Sequence, residues 1–239
     1  MIFSDINTFD SDEDAFFRFG ASVIKTLGQE KKQIERADMV SVQKEEYEDL
    51  DNVSFAVFDT ETTGGSFSDV IIQMGVVCYD DQENICFKYN KYWKPPLNIT
   101  IKPGAMRVHK ITPCVLEKNG VDAKSEIIFI YNLFKNLKSK NKKMVAHNVS
   151  FDFRMLSQTA NINGCEWDFE ESDFFCTQKN SRQYVKALDK NGKVKAPTNS
   201  ELYHYIYGKE PIGNLHDALV DCKVTGAGYL GGIEKKWWN

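Results

Sequence analysis

Residues 55–62 read FAVFDTET, an apolar run that leads directly into Asp59, Thr60 and Glu61. Four apolar residues followed by a Thr-Thr-Gly-Gly stretch have the length and flanks of a buried strand. Burying one unpaired carboxylate costs on the order of several kcal/mol, so the end of this strand needs a partner. Side chains alternate along a strand, which puts Asp59 and Glu61 on the same side. Two like charges that close raise each other's pKa unless a cation compensates them, and a hard divalent ion with oxygen ligands suits two carboxylates. The chain carries its own control in Asp168-Phe169-Glu170, the same acid–x–acid form without an apolar strand before it. That second pair is expected to face solvent.

With 239 residues, 42% apolar and 13% aromatic, the chain is long enough for one large domain, or a domain with an appendage, around a substantial core. No apolar stretch approaches the roughly 18 residues of a membrane span. The N-terminus is acidic where a secretory signal carries positive charge. These features predict a soluble, cytoplasmic protein with no membrane association. Six cysteines are scattered without a CxxC pair, which suits reduced thiols better than disulfides or a zinc site.

Charge is unevenly divided. Residues 1–50 hold twelve acidic and six basic side chains, whereas the rest of the chain holds 22 acidic and 24 basic. Lysine clusters at 135–143 and 186–195 are solvated faces or phosphate contacts, and charge alone does not choose between them.

The composition divides the chain at residue 52. Residues 1–52 form an acidic, partly helical extension and linker, with Phe16, Phe19, Val23, Ile24 and Leu27 at helical spacing. That helix either packs on the main domain or docks a protein partner. Residues 53–239 form the main domain. Strands are predicted at 53–58, 70–79, 85–93 and 144–146, and helices at 123–138, 150–160, 198–207 and 214–230. Strands first, then strands alternating with helices, indicate an α/β domain around one mixed sheet. Residues 186–197 are polar, contain Asn-Gly, and read as an exposed turn or hairpin.

Two later segments bear on the carboxylate pair. VAHNVSFDFRML (145–156) is a short strand followed by His147, Asn148 and a helix bearing Asp152; LHDALVDCKVTGAGYL (215–230) is a helix starting near His216 and carrying Asp221. Carboxylates on a strand end and on two helix first turns can meet at one sheet edge. Asp59, Glu61, Asp152 and Asp221 with His216 match a site for two ions that clamp a phosphodiester.

The ordered motifs Asp-Thr-Glu-Thr-Thr-Gly, His-Asn-x-x-Phe-Asp and His-x4-Asp resemble the DEDD exonucleases, in the subgroup with a catalytic histidine, from about residue 53 to 230. PGAMRVHKIT (103–112) is similar to the family's substrate-side segment. The resemblance implies a ribonuclease H-like mixed β-sheet flanked by helices, here with an N-terminal helical extension. It implies a 3′→5′ exonuclease that uses two divalent ions, Mg²⁺ or Mn²⁺, and releases nucleoside monophosphates from nucleic acid 3′ ends, with DNA favoured over RNA. Asp59, Glu61, Asp152 and Asp221 are then the metal ligands and His216 the general base. Thr60, Thr62, Val108, His109, Asn148 and Phe151 hold the terminal nucleotide, and His147 orients its motif through hydrogen bonds. Asp217 departs from the pattern of basic or amide residues after the histidine; it either raises the histidine's pKa or caps the helix. His204 is expected at the surface, and Trp237 and Trp238 pack on the fold or mediate a contact. The rival readings are an RNA-trimming enzyme with the same site, a non-catalytic nucleic-acid-binding scaffold, and an endonuclease on a related sheet.

Overall fold

The computed structural model describes residues 50–238. The helix expected around residues 16–27 lies outside them. Six strands form one sheet: β1 (Val53–Thr62), β2 (Ile71–Asp80), β3 (Ile85–Lys94), β4 (Val121–Asp122), β5 (Lys143–Ala146) and β6 (Phe174–Cys176), in the order β4-β3-β2-β1-β5-β6. Neighbours β1–β2 and β2–β3 are antiparallel, while β1–β5 and β5–β6 run parallel. The sheet is therefore mixed. Among the described residues seven α-helices accompany it: α1 (Pro103–His109), α2 (Pro113–Asn119), α3 (Ala123–Ser139), α4 (Val149–Ile162), α5 (Thr177–Val185), α6 (Asn199–Tyr207) and α7 (Ala218–Glu234).

Alternation along β1 divides the core. Ala56 and Phe58 join the layer built with Ile127, Phe134, Met155 and Leu156 from α3 and α4. Phe55 and Val57 join the layer on the opposite face, with Cys222, Tyr229 and Leu230 from α7. Central strand β1 is thus covered on both faces, which is why its sequence reads as a continuous apolar run rather than an alternating one. Leu50, within the expected linker, is 2% exposed and belongs to the first layer.

Strands and helices with strong periodicity lie within a few residues of the predicted ranges. Three departures have physical causes. Strand β1 continues to Thr62, so Asp59 and Glu61 lie within it. Helix α7 begins at Ala218 rather than 214, because Asp217 is its N-cap, accepting from the N–H groups of Leu219 (3.0 Å) and Val220 (3.3 Å). Of the two roles open to Asp217, the structure shows the cap. Helix α5, TQKNSRQYV, is too polar for an apolar stripe to reveal it, and α1 and α2 are single seven-residue helices that start on proline. The 186–197 segment is a hairpin-like turn with one bridge, Leu188 to Val194.

Asp168 and Glu170 are exposed while Phe169 between them is buried, as the control requires. His204 is exposed and its Nδ1 lies 2.8 Å from Glu210. The final tryptophans pack on the fold: Trp237 stacks on Tyr184 with ring centroids 4.5 Å apart, and Trp238 Nε1 donates to the Tyr229 carbonyl at 3.0 Å. Among the described residues no helix is long and apolar enough to cross a membrane.

Candidate active site

The alternation that sorts the apolar residues also sorts the polar ones that follow. Odd positions of β1 face α7, so Asp59 and Glu61 continue the row of Phe55 and Val57 toward Asp221 in the first turn of α7. Even positions face α4, and Thr60 there donates from Oγ1 to Asp152 Oδ1 at 2.7 Å. Asp152 sits in the first turn of α4. The four carboxylates therefore approach the end of β1 from both faces of the sheet. Glu61, His216 and Asp221 each present a ligand atom within 4.8 Å of the others. His216 is exposed, adopts a left-handed backbone (φ 68°), and donates its N–H to Asp221 Oδ2 at 2.8 Å.

The electrostatics show a site short of positive charge. Burial, then Asp152, Asp221 and Glu61, push the Asp59 carboxyl well above its ordinary range. Glu61 is raised to about 9 by burial and then by Asp221, Asp152 and Asp217. Asp152 is raised to about 7, burial outweighing its hydrogen bond from Thr60. Asp221 is raised by burial against the opposing hydrogen bond from the His216 backbone. Crowded oxygen donors that prefer protons to charge are what a divalent cation relieves, so the residues present fit such ions.

The remaining predicted site residues lie on β1, on α1 and at the start of α4. Buried Thr62 turns its hydroxyl inward to the Gly64 carbonyl, 2.8 Å. Val108 is 48% exposed on α1. Next to it, His109 is buried, accepts from the Ile111 N–H at Nδ1 (2.9 Å), and leaves Nε2 without a hydrogen-bond partner. Burial holds the His109 pKa below its usual value, against a contribution from the Thr62 carbonyl. Asn148 is exposed at the N-cap of α4, with no side-chain capping bond. His147 bridges Thr177 Oγ1 and the Pro197 carbonyl, both at 3.0 Å, and burial lowers its pKa to about 4. It orients its motif as expected.

Several contacts escape sequence reasoning. The Arg154 guanidinium lies over the rings of both Phe151 (5.4 Å) and Phe67 (5.5 Å), and Phe67 is 85% exposed. The loop that carries Phe67 is fastened by Asp69, which accepts from Lys102 Nζ (2.6 Å), the Ser66 N–H (2.6 Å) and Thr63 Oγ1 (3.1 Å). Burial alone would raise the Asp69 pKa, but these bonds hold it near about 2. Gly64 is required there, since a Cβ would lie 2.6 Å from Lys102 Cδ and 2.8 Å from Asp69 Oδ2. Phe67 between Ser66 and Ser68, in a short polar stretch, was the one available signal.

The sequence profile of the family described as Exonuclease matches residues 56–229. The chain belongs to the exonuclease family. The family's use of divalent metals agrees with the donor set described above. No curated protein matches the sequence. Among solved structures, E. coli exonuclease I in complex with a dT13 oligonucleotide is similar at TM-score 0.60 and 22% identity, over 75% of this chain and 40% of that one. The zinc-bound form of the E. coli exonuclease I–ssDNA complex gives TM-score 0.59 and 21% identity, over 76% and 40%. The nuclease domain of 3′hExo, a DEDDh family member bound to rAMP, gives TM-score 0.60 at 13% identity, over 77% of this chain and 94% of that one. The chain thus spans about 40% of exonuclease I and nearly all of the 3′hExo nuclease domain. At these identities the likeness concerns the fold, a ribonuclease H-like exonuclease fold.

Proposed function

We propose that the protein is a 3′→5′ exonuclease that removes nucleoside monophosphates from single-stranded or frayed 3′ ends, with DNA as its main substrate and Mg²⁺ or Mn²⁺ as its cofactor. One observation carries this reading. Glu61, His216 and Asp221 present ligand atoms within 4.8 Å of one another, and the Asp59 and Asp152 charges act on the same group of carboxylates. Two bound divalent ions would supply charge neutralisation at the phosphate and ease ionisation of the attacking water. Asp59, Glu61, Asp152 and Asp221 hold those ions. His216 takes the proton from the water, a task that its exposure to solvent and imidazole chemistry suit near neutral pH.

The other side chains orient the strand. Thr62, Val108, His109 and Asn148 line the place of the terminal nucleotide; because His109 Nδ1 accepts from Ile111, its Nε2 carries the ring proton and is a donor. Phe151 and the exposed Phe67 offer aromatic faces, on which any base stacks without sequence preference. None of these contacts reads base identity. We assign the acidic N-terminal extension to docking a protein partner.

RNA is the second reading, favoured by the rAMP bound in the 3′hExo neighbour. Both are tested by incubating single-stranded DNA, duplex DNA and RNA, labelled at the 5′ end, with the protein and Mn²⁺. The expected result is a descending ladder, fastest on single-stranded DNA. A 3′-phosphate should slow it strongly, and circular single strands should survive. Rapid cutting of circles would replace the exonuclease with an endonuclease.

A further inference from the structure

Gln73 in β2 is 1% exposed and stands opposite Glu61 in the β1–β2 register. A buried primary amide must place both N–H groups and its oxygen. Its Nε2 donates to Asp217 Oδ2 and to Asn90 Oδ1, each at 3.0 Å. Its Oε1 accepts from the Ala218 N–H at 3.4 Å. One side chain on the sheet therefore grips both the cap and the first backbone N–H of α7.

The grip falls directly beside His216. Asp217 spends its other oxygen on capping Leu219 and Val220. His216 holds a left-handed backbone at φ 68°, a conformation that a residue with a side chain keeps only when its surroundings impose it. The same helix start is seated tightly on β2, since a Cβ on Gly75 would lie 2.6 Å from both the carbon and the oxygen of the Ala218 carbonyl.

We propose that Gln73, steadied by Asn90, is a positioning residue that fixes the His216 imidazole against the carboxylate cluster by holding Asp217. The role rests on the exonuclease reading above. The chemistry of the position is specific. Both Asp217 oxygens accept, so residue 73 must donate to Asp217 with one atom and accept from Ala218 with the other. An amide does both, whereas a carboxylate there would meet the Asp217 carboxylate head-on. Exchanging the two partners, Gln73→Glu with Asp217→Asn, restores one donor and one acceptor across the pair.

The test follows the ring proton resonances of the four histidines as Mn²⁺ is added, with His216 assigned through His216→Ala. In the wild type the His216 resonance should broaden at far lower Mn²⁺ than that of exposed His204. Gln73→Glu should weaken that broadening at equal Mn²⁺ occupancy, and lower kcat by roughly 10–100-fold with KM nearly unchanged, a share of the 10²–10⁴ that a general base supplies. The double variant should recover both. Gln73→Met removes the same hydrogen bonds without adding charge, and should show the same loss if Gln73→Glu does not fold. Wild-type broadening in both single variants, or a folded double variant without recovery, overturns the positioning role. Weakened broadening in the variants, with no cleavage of any strand by the wild type, upholds the positioning role and overturns the exonuclease reading instead.

Discussion

Asp59→Ala should abolish turnover and lose most Mn²⁺ affinity, whereas His216→Ala should lose roughly 10²–10⁴-fold in rate and bind Mn²⁺ almost normally. The difference follows from where the two groups sit. Asp59 lies among the other carboxylates: Asp152, Asp221 and Glu61 all act on it. Removing it takes away the acid that faces every other ligand of the cluster. His216 stands at the rim, exposed to solvent, and its backbone N–H already engages Asp221. Its ring lies close enough to Glu61 and Asp221 to ligate an ion, so this pair of variants separates a base from a ligand. Isothermal titration with Mn²⁺ beside a rate assay reads both quantities. If His216→Ala lost its metal as completely as Asp59→Ala, the imidazole would be a ligand and the assignment of the base would fall.

Thermal stability should respond to metal in a manner set by pH. In the metal-free protein Glu61 has its pKa raised from 4.5 to about 9 and Asp152 from 3.8 to about 7. A raised carboxyl means that the folded state binds more protons than the unfolded one. The stability it brings is present in full below the unfolded pKa and is lost as pH rises through the folded one. His147 works in the opposite sense, lowered from 6.5 to about 4, so its contribution is complete above 6.5 and lost as pH falls through about 4. Between pH 6.5 and 9 the raised carboxyls of the cluster lower stability as pH rises. Melting in EDTA should therefore move to lower temperature between pH 6.5 and 9. Mn²⁺ replaces the displaced protons, so the rise in Tm on adding it should grow with pH across that window. A metal-induced rise that stays constant with pH would mean that these carboxylates are not the binding groups.

How much of this was legible in the sequence depended on periodicity and on order. The strand FAVFDTET showed its burial and its carboxylate pair together, because a strand covered on both faces has no polar alternation to obscure it. Asp152 was legible as a first-turn acid of a helix with an apolar stripe, and Asp221 as one at the start of a long run of small and apolar residues, buried nearly throughout in α7. Connections between sequence-distant side chains were not. Thr60 counted as a backbone contact to substrate, yet its hydroxyl serves Asp152 on the opposite face of the sheet. Gln73 lay in an apolar strand where nothing marks a buried amide as the anchor of a helix 144 residues away. Helix α5 stayed hidden because it contributes only Thr177 and Ser181 to the buried interior.

Four crowded carboxylates, partly protonated in the free protein, should take up two divalent ions. Titration of the protein with Mn²⁺ at pH 7.5, repeated in buffers of different ionisation enthalpy, counts ions and protons together. With Glu61 at about 9 and Asp152 at about 7, at least one proton should leave as the ions enter. Two Mn²⁺ per chain should bind with net proton release, and the release should shrink in Glu61→Gln. Failure to bind Mn²⁺, or binding with no proton released at this pH, would contradict this reading of the site.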